Sequence, residues 1–327
     1  MSKTTVSRFL GGEVEALAEA TYKKIEATIR DLDYRPNKMA RGLKGRRSYL
    51  IGVIVADITN PFSTAILRGA EDVCQQNDYS LLVCNSDNDT EKERNYMWML
   101  QSHQIDGLII NSTGSNRELL LEMQRNDTPI VLLDREVPGI DVDLVTVDNE
   151  QATRHALRYL LDQGYARIGY FTQAIAGVST RTERVTTFWE FVREEGLQDS
   201  AAVYELDIRN DAMVAEAVSA FMRPDASEAR AIFAGNSVTL LKVGLELRRL
   251  GYEAPRDTGL IGFDNPEWAE MIRTSSVAQP TYAMGVQATE RLLARIRGDR
   301  TSAAIVRLPA ELVIRRSTDR AAGVAEV

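Results

Sequence analysis

The feature that most constrains the fold is an alternation of short apolar runs and longer helical segments that begins at Tyr49. Apolar runs rich in Val, Ile and Leu are typical of buried parallel strands. They are predicted at residues 50–56, 80–85, 107–111, 130–133 and 144–147, and in a second series at 168–171, 203–206, 231–234 and 259–262. Two series of βα units indicate two doubly wound parallel sheets of the α/β class.

Helical periodicity fills the gaps between these strands. The predicted helices cover residues 63–76, 91–102, 183–195, 212–222, 238–250 and 285–297. A chain of 327 residues with 44% hydrophobic residues can fill two cores. The sequence has no apolar run long enough to span a membrane and no apolar signal-peptide core, so we expect a cytoplasmic protein without membrane contact.

The charge of the chain is unevenly distributed. Residues 1–50 hold 11 Lys and Arg against 6 Asp and Glu, which leaves 28 cations and 41 anions for the remainder. A basic end on an acidic body indicates a polyanion-binding head, although a solvated charged terminus has the same composition. The basic stretch is Tyr34-Arg-Pro-Asn-Lys-Met-Ala-Arg-Gly-Leu-Lys-Gly-Arg-Arg47.

Two short motifs in this head indicate DNA binding. In Lys3-Thr-Thr-Val-Ser-Arg-Phe-Leu10 the apolar residues recur at helical spacing, which leaves Lys3, Thr4 and Arg8 on the outer face of a recognition helix. A second amphipathic helix follows with Tyr22, Ile25, Ile29 and Leu32, and it is predicted to end near Asp33-Tyr34. Pro36 then suits the first turn of a short helix.

The TVSR and YxPNxxARxL motifs resemble those of the LacI/GalR family of bacterial transcription regulators, and gapped matches run through nearly the whole chain. The resemblance implies a periplasmic-binding-protein type I fold with lobe crossings near 148–149, near 279–280 and within 304–313. It implies a partial helix-turn-helix head at 1–35, a hinge helix at 36–47, a two-lobed domain at 48–318 and a tail at 319–327. The first lobe would comprise about 48–148 and 280–304, and the second about 149–279 and 305–318.

The resemblance also implies the residues that contact DNA. These are Lys3, Thr4, Thr5, Ser7, Arg8, Asn37, Lys38, Ala40, Arg41 and Leu43. Leu43 would wedge into a minor-groove base step while Lys38 and Arg41 neutralise phosphates, although Leu43 could instead be an ordinary packing residue. The family's helix-turn-helix has a further helix ahead of the segment at Met1, so we expect a start site placed too late or a truncated gene.

The polar residues at the ends of the predicted strands form the candidate effector site. The proposed set is Phe62, Asp134, Arg181, Arg184, Asn236, Asp264 and Gln279. Phe62 could cover a sugar face or pack in the core, and each polar residue alone could be a loop cap. Arg181 and Arg184 favour an anionic effector, such as a sugar acid or sugar phosphate, unless Arg184 pairs with Asp134 or Asp264 and leaves room for a neutral polyol.

No enzyme motif competes with this interpretation. The two histidines, His103 and His155, lie on separate predicted helices, and the common nucleotide, hydrolase and zinc motifs do not occur. No cofactor or metal is therefore expected. The sequence predicts a homodimeric, ligand-controlled regulator, a repressor of a carbohydrate operon, that binds a pseudo-palindromic operator; the alternative is a sugar receptor of the same fold that does not bind DNA.

Overall fold

The computed structural model describes residues 2–10, 17–32, 47–223 and 229–320. The chain divides into two compact units, residues 1–49 and 50–327. In the first unit, helices α1 (Lys3–Leu10) and α2 (Glu19–Asp31) lie where the sequence predicts two helices. The Phe9 and Tyr22 rings lie 4.8 Å apart between their centroids, and Ile25 is buried. Leu32 was expected on the apolar face but follows the last helical residue and is 72% exposed.

The second unit alternates strands and helices along its length. Its first half contains β1 (Leu50–Val55), α3 (Pro61–Gln76), β2 (Ser80–Asn85), α4 (Thr90–Ser102), β3 (Gly107–Ile110), α5 (Arg117–Arg125), β4 (Ile130–Leu133), β5 (Asp143–Val147), α6 (Asn149–Asp162), β6 (Arg167–Gln173) and α7 (Ser179–Glu194). Its second half contains β7 (Ala201–Leu206), α8 (Asp211–Phe221), β8 (Arg230–Ala234), α9 (Ser237–Arg249), β9 (Gly259–Phe263), α10 (Glu267–Met271), β10 (Ser275–Ala278), α11 (Thr281–Ile296), β11 (Ile305–Leu308) and β12 (Glu311–Val313). Short 3-10 helices cover Gln198–Ser200 and Arg316–Thr318.

The strands form two six-stranded sheets, each the centre of one lobe. The first has the order β11-β5-β4-β3-β1-β2 and is parallel throughout. The second has the order β12-β10-β9-β8-β6-β7, in which only β12 is antiparallel. Both sheets are doubly wound, as the sequence predicts. The strand order reverses between β1 and β3 in the first sheet and between β6 and β8 in the second, which are the positions where such folds bind ligands.

In the described parts of the two-lobed unit, the chain passes between the lobes at three places. These are Asp148, between β5 and α6, Gln279-Pro280, before α11, and Pro309-Ala310, between β11 and β12. The predicted boundary at residue 304 is wrong by four residues, because β11 pairs with β5 and so belongs to the first lobe. Among the residues predicted as a tail, Arg320 donates from Nη1 to the Gly164 carbonyl at 2.8 Å.

Helices begin directly after strands because short polar residues cap them. Asn60 accepts a hydrogen bond from the Phe62 amide, and Pro61 occupies the first helical position, where its missing amide hydrogen costs nothing. Asp89, Asp148, Asn210 and Asn236 cap α4, α6, α8 and α9 in the same way. These caps fix the loops that surround the carboxyl ends of the strands.

Helix α11 packs on the first lobe. The Tyr282 hydroxyl donates to Asp72 Oδ2 of α3 at 2.9 Å. Buried Asp143 on β5 accepts from Arg295 Nε at 2.7 Å and from Arg291 Nη1 at 3.2 Å. Burial alone would raise the pKa of Asp143, but the hydrogen bonds and charges of its partners outweigh burial and hold that pKa below its usual value.

Candidate ligand-binding cleft

The topology gathers the polar residues that follow the strands into one cleft between the lobes. In the first lobe Ala56, Asn111 and Asp134 follow β1, β3 and β4. In the second lobe Gly235, Asp264 and Gln279 follow β8, β9 and β10. Because the carboxyl ends of parallel strands share one edge of a sheet, residues far apart in sequence face the same space.

The space between the two walls of this cleft, including the part that opens to solvent, is about 610 Å³. Its lining includes all seven residues proposed from the sequence, namely Phe62, Asp134, Arg181, Arg184, Asn236, Asp264 and Gln279. It also includes residues that the sequence analysis did not single out, namely Asp57, Asn60, Ser63, Asn88, Asn111, Arg135, Gln173 and Thr180.

Arg184 is the most extensively bonded side chain of the cleft. Its Nε donates to Asn149 Oδ1 at 2.7 Å, Nη1 to the Gly235 carbonyl at 2.8 Å and Nη2 to Gln279 Oε1 at 3.2 Å. Its guanidinium carbon lies 3.7 Å from the centroid of the Phe263 ring, within the distance of a cation–π contact. Arg184 therefore anchors α7 to three strand ends, and the alternative in which it bridges to a cleft aspartate is wrong.

Asp264 and Gln279 extend this network in the second lobe. Asp264 Oδ2 accepts from the Ser237 amide at 2.9 Å, and Oδ1 accepts from Gln279 Nε2 at 2.6 Å. Asp264 has a φ of 71°, a left-handed conformation that Asp tolerates better than most residues. Each carboxylate oxygen is thus already held by a hydrogen-bond donor from the protein.

Asn236 and Arg181 share a partner in Gln173. Gln173 Oε1 accepts from Asn236 Nδ2 at 2.7 Å and from Arg181 Nη2 at 3.0 Å. Arg181 Nη1 also donates to the Ala174 carbonyl at 2.6 Å. Burial first, and then the nearby charges of Arg135 and Arg184, lower the pKa of Arg181 to about 10, so it stays cationic at neutral pH.

The wall of the first lobe differs because some of its buried polar atoms have no hydrogen-bond partner. Among the described residues these atoms include Asn111 Oδ1, Asp134 Oδ1 and Arg135 Nε. All three side chains are more than nine-tenths buried. Burial raises the pKa of Asp134, and the nearby charges of Arg184 and Arg135 oppose that rise only in part. Burial likewise lowers the pKa of Arg135.

The lobes touch each other around the cleft. Ser237 Oγ lies 3.3 Å from Asn60 Oδ1, and the Glu136 amide donates to Ser179 Oγ at 2.9 Å. Farther along, Arg307 Nη1 forms an ion pair with Glu183 Oε1 at 2.7 Å. Each contact joins a residue of the first lobe to one of the second, so the two walls face each other at hydrogen-bonding distance.

Phe62 lies in the first turn of α3 and is only 8% exposed. It lines the cleft, and its amide is held by Asn60 Oδ1 at 3.0 Å. This position is compatible with both roles considered from the sequence, because a ring at the start of a buried helix can pack in the core and still cover one face of a ligand.

In the first unit, Thr4 and Arg8 lie on the exposed face of α1, as the amphipathic pattern predicts, and Thr5 is partly buried. The Thr5 amide donates to Ser2 Oγ at 3.2 Å. The side chains of Lys3 and Ser7 lie outside the described residues, as do the whole of Asn37, Lys38, Ala40, Arg41 and Leu43. The predicted hinge helix is therefore an expectation from the sequence alone.

The histidines lie away from the cleft and from each other. His103 is the C-cap of α4, where Nδ1 lies 2.8 Å from the Met99 carbonyl, and His155 is exposed on α6. Among the described residues, no three His, Cys, Asp or Glu side chains are arranged to hold a metal ion. No helix in the described parts of the chain is both long and apolar enough to cross a membrane.

Known proteins resemble this chain over most of its length. Residues 48–316 match the family model described as periplasmic binding proteins and sugar binding domain of LacI family. The chain is 38% identical over 319 residues to the HTH-type transcriptional regulator KdgR of Bacillus subtilis, covering 97% of this chain and 94% of that protein. It is 42% identical over 321 residues to the HTH-type transcriptional regulator PtxS of Pseudomonas putida, covering 97% and 93%.

A solved structure agrees with these matches. The Lac repressor dimer bound to operator and the anti-inducer ONPF aligns with a TM-score of 0.84 at 21% identity, covering 97% of this chain and 96% of that chain. At this identity the alignment establishes the fold, which is the two-lobed periplasmic-binding-protein type I architecture predicted from the sequence.

Proposed function

The chain belongs to the LacI family of transcriptional regulators, and we propose that it represses genes for the use of a carbohydrate or sugar acid in response to an effector held between its lobes. The observation that carries this proposal is the cleft itself. Its lining combines one aromatic ring, Phe62, with carboxylates, amides and guanidinium groups from strand ends and from helix α7. Such a lining offers both hydrogen-bond donors and acceptors to a polyhydroxylated ligand.

The first unit would supply DNA recognition. We assign the outer face of α1, with Lys3, Thr4, Thr5, Ser7 and Arg8, to the major groove of an operator. The sequence-based hinge, with Asn37, Lys38, Ala40, Arg41 and Leu43, would contact the adjacent minor groove and phosphates. A homodimer would place two such heads on a pseudo-palindromic site, and this role places the protein with the DNA in the cytoplasm.

The charges of the cleft favour a sugar acid or sugar phosphate over a neutral sugar. Arg135, Arg181 and Arg184 face the cavity, and two of the three lining carboxylates, those of Asp57 and Asp264, already accept hydrogen bonds from the protein. The remaining carboxylate belongs to Asp134. An anion entering this space would meet guanidinium groups whose positive charge is only partly neutralised by the lining carboxylates.

The test is an operator-binding assay with and without ligand. Native regulatory DNA upstream of neighbouring carbohydrate genes should shift in a gel at nanomolar protein, and the responsible sugar or sugar acid should change that affinity at least tenfold. The variant Lys38→Ala should bind all sequences less tightly and flatten the salt dependence by about one unit of slope. Leu43→Ala should instead weaken specific binding and leave effector binding intact.

A non-DNA-binding sugar receptor is the second candidate function, because the two-lobed fold alone would serve it. The same assay separates the two. A chain that binds a sugar in calorimetry but shifts none of the regulatory DNA fragments, even at low salt, would be a receptor and not a regulator. We also propose that the chain has no catalytic activity, because the described lining of the cleft contains no histidine or cysteine that could act as a base or nucleophile.

A further inference from the structure

A buried-to-surface series of hydrogen bonds lies where the chain crosses between the lobes, and Glu183 of α7 is at its outer end. Glu183 Oε1 accepts from Arg307 Nη1 at 2.7 Å, and Oε2 accepts from Asn149 Nδ2 at 2.9 Å. Asn149 directly follows the crossing at Asp148, and Arg307 lies on β11, which ends just before the crossing at Pro309-Ala310. A single carboxylate therefore contacts residues beside two crossings.

Asn149 extends this series to the remaining crossing. Its Oδ1 accepts from Arg184 Nε at 2.7 Å, and Arg184 Nη2 donates to Gln279 Oε1 at 3.2 Å, where the chain returns to the first lobe. Asn149 and Arg184 are buried. Because an unpaired buried polar group is unfavourable, these side chains can change position only together.

Within the series, the contact between Arg307 and Glu183 is the one that joins the lobes. Arg307 belongs to the first lobe through β11, whereas Glu183, Asn149 and Arg184 belong to the second. We propose that this ion pair is an interlobe clasp that holds the lobes at the angle of this structure. Glu183 is then a positioning residue, because it links that angle through Asn149 to Arg184 in the cleft.

The clasp has the strength that a reversible contact requires. The Arg307 and Glu183 side chains are 42% and 31% exposed, so solvent screens their attraction. A pair of this exposure can shift the balance between two lobe arrangements and can still be broken. Opposite charges also attract beyond hydrogen-bonding distance, within the screening length of about 8–10 Å at moderate salt, so the pair favours closure even when the lobes have separated slightly.

Other ion pairs of the two-lobed unit have a different placement. Arg158 pairs with Glu195 and joins α6 to the end of α7 within the second lobe. Arg295 pairs with Asp143 and joins α11 to β5 within the first lobe. These pairs hold elements inside one rigid body, so their loss should not change the angle between the lobes. They provide matched controls for the clasp.

The inference goes beyond the proposed function, because the lobe angle is a property of the chain without ligand or DNA. The experiment attaches spin labels to cysteines introduced by Glu122→Cys on α5 and Ser219→Cys on α8, which are exposed positions in the first and second lobes. Native Cys74 and Cys84 are buried and should not react with the label. Double electron–electron resonance then gives the distances between the lobes, and dilution with unlabelled protein isolates the distances within one chain.

Glu183→Gln and Arg307→Gln keep hydrogen-bonding groups of similar shape but remove the charge. Each should raise the ratio of open to closed chains by about two- to fivefold, the range that a partly exposed ion pair provides. The double variant should open no further than either single variant, because both changes remove the same attraction. Salt of about 1 M should shift the wild-type distances toward those of the variants and leave the variants unchanged.

Arg158→Gln is the control and should leave the distances as in the wild type, and circular dichroism establishes that every variant is folded. Unchanged distances in both Glu183→Gln and Arg307→Gln would overturn the clasp. Additive opening in the double variant would also overturn it, since Glu183 would then act through local structure and not through Arg307. A wild-type distribution that does not respond to salt would have the same consequence.

The proposed function is tested separately, by the operator shift with and without a sugar or sugar acid. If the distances confirm the clasp but the chain shifts no regulatory DNA, the clasp stands and the regulatory role is rejected. If the chain binds operator under ligand control but the distances are unchanged in the variants, the regulatory role stands and the clasp is rejected.

Discussion

At the scale of single residues, the two lobes place an aspartate at the same position with different surroundings. Asp134 follows β4 and Asp264 follows β9; both have left-handed backbones, with φ of 64° and 71°. Each amide donates to the next strand, at Val145 and Val277. Asp264 has a protein donor on each oxygen, whereas Asp134 Oδ1 has none among the described residues. In the same local backbone conformation, the Asp264 carboxylate therefore holds structure, whereas the Asp134 carboxylate has an oxygen that can accept from a ligand.

The first prediction concerns the stability of Asp134→Asn. Because burial raises the folded-state pKa of Asp134 above 3.8, this group stabilises the fold fully below pH 3.8, and that contribution is lost as pH rises through the raised pKa. At pH 7 the variant should therefore be more stable than the wild type, by about 1–3 kcal/mol in unfolding free energy. Denaturant unfolding from pH 5 to 8 should show the advantage narrowing toward the acid end.

The same variant should bind its effector about tenfold less tightly, because an amide is a weaker acceptor than a carboxylate. The matched control is Asp264→Asn, which should be less stable than the wild type, since its amide would face the Gln279 Nε2 or Ser237 amide donors. A destabilised Asp134→Asn would show that the carboxylate is well satisfied in solution and would contradict the assigned role.

At the scale of secondary structure elements, the sequence pattern predicted β1 to β9 and missed the last three strands that the structure describes, β10, β11 and β12. Buried runs such as β1 and β8 are continuously apolar, so they are easy to recognise. Strands β11 and β12 are short, and the residues facing solvent in β11 alternate with partly buried ones. Their positions depend on pairing with β5 and β10, which is information about distant segments that local periodicity does not contain.

The cleft residues were predictable for a related reason. A parallel sheet brings its strand ends together, so the polar residues directly after apolar runs can be grouped from the sequence alone. Which of those polar groups remain unpartnered depends on contacts such as Arg184 with Asn149, 35 residues away, or Gln279 with Asp264. This explains why Arg184 was selected as a ligand residue while Arg135 was not.

The second prediction concerns the contact between α3 and α11. A Cβ atom added at Gly285 would overlap the Ile66 carbonyl oxygen, which belongs to the backbone and cannot move alone. Gly285→Ala should therefore separate the helices and cost about 2–3 kcal/mol of unfolding free energy. Gly244→Ala in α9 is the control, because the nearest atom to its added Cβ is Leu260 Cδ2 at 3.7 Å.

In Gly244→Ala, higher helix propensity should instead raise the unfolding free energy by up to about 1 kcal/mol. Chemical denaturation of the two variants side by side gives the comparison. Equal stabilities for both alanine variants would mean that the close approach of α3 and α11 is not a feature of the folded protein in solution.

At the scale of the whole molecule, the proposed homodimer needs a surface of the effector domain through which two copies contact each other. An apolar surface on the second lobe is suited to this contact. It comprises exposed Leu241 and Leu245 on α9, and Met271 and Ile272 at the end of α10, with exposed fractions from 41% to 77%. Contiguous exposed apolar residues of this size commonly mark protein interfaces.

The last prediction tests this surface with Leu245→Lys. A lysine there would bring a charge into the centre of the contact and should convert the dimer to a monomer, because an unpaired buried charge costs several kcal/mol. Since two heads binding together gain from their high effective concentration, operator affinity should fall by at least a hundredfold while effector affinity stays the same. Sedimentation velocity, operator shift and calorimetry measure the three quantities.

The control for that experiment is Trp189→Lys. Trp189 is 41% exposed on α7, which packs on the opposite face of the second sheet from α9. The Trp189→Lys variant replaces an exposed apolar side chain larger than Leu245 with the same charged residue. A general effect of surface charge or solubility would therefore appear in both variants. A dimeric Leu245→Lys, or a monomeric Trp189→Lys, would place the contact elsewhere. Loss of the dimer in Leu245→Lys alone would tie operator affinity to the α9 surface.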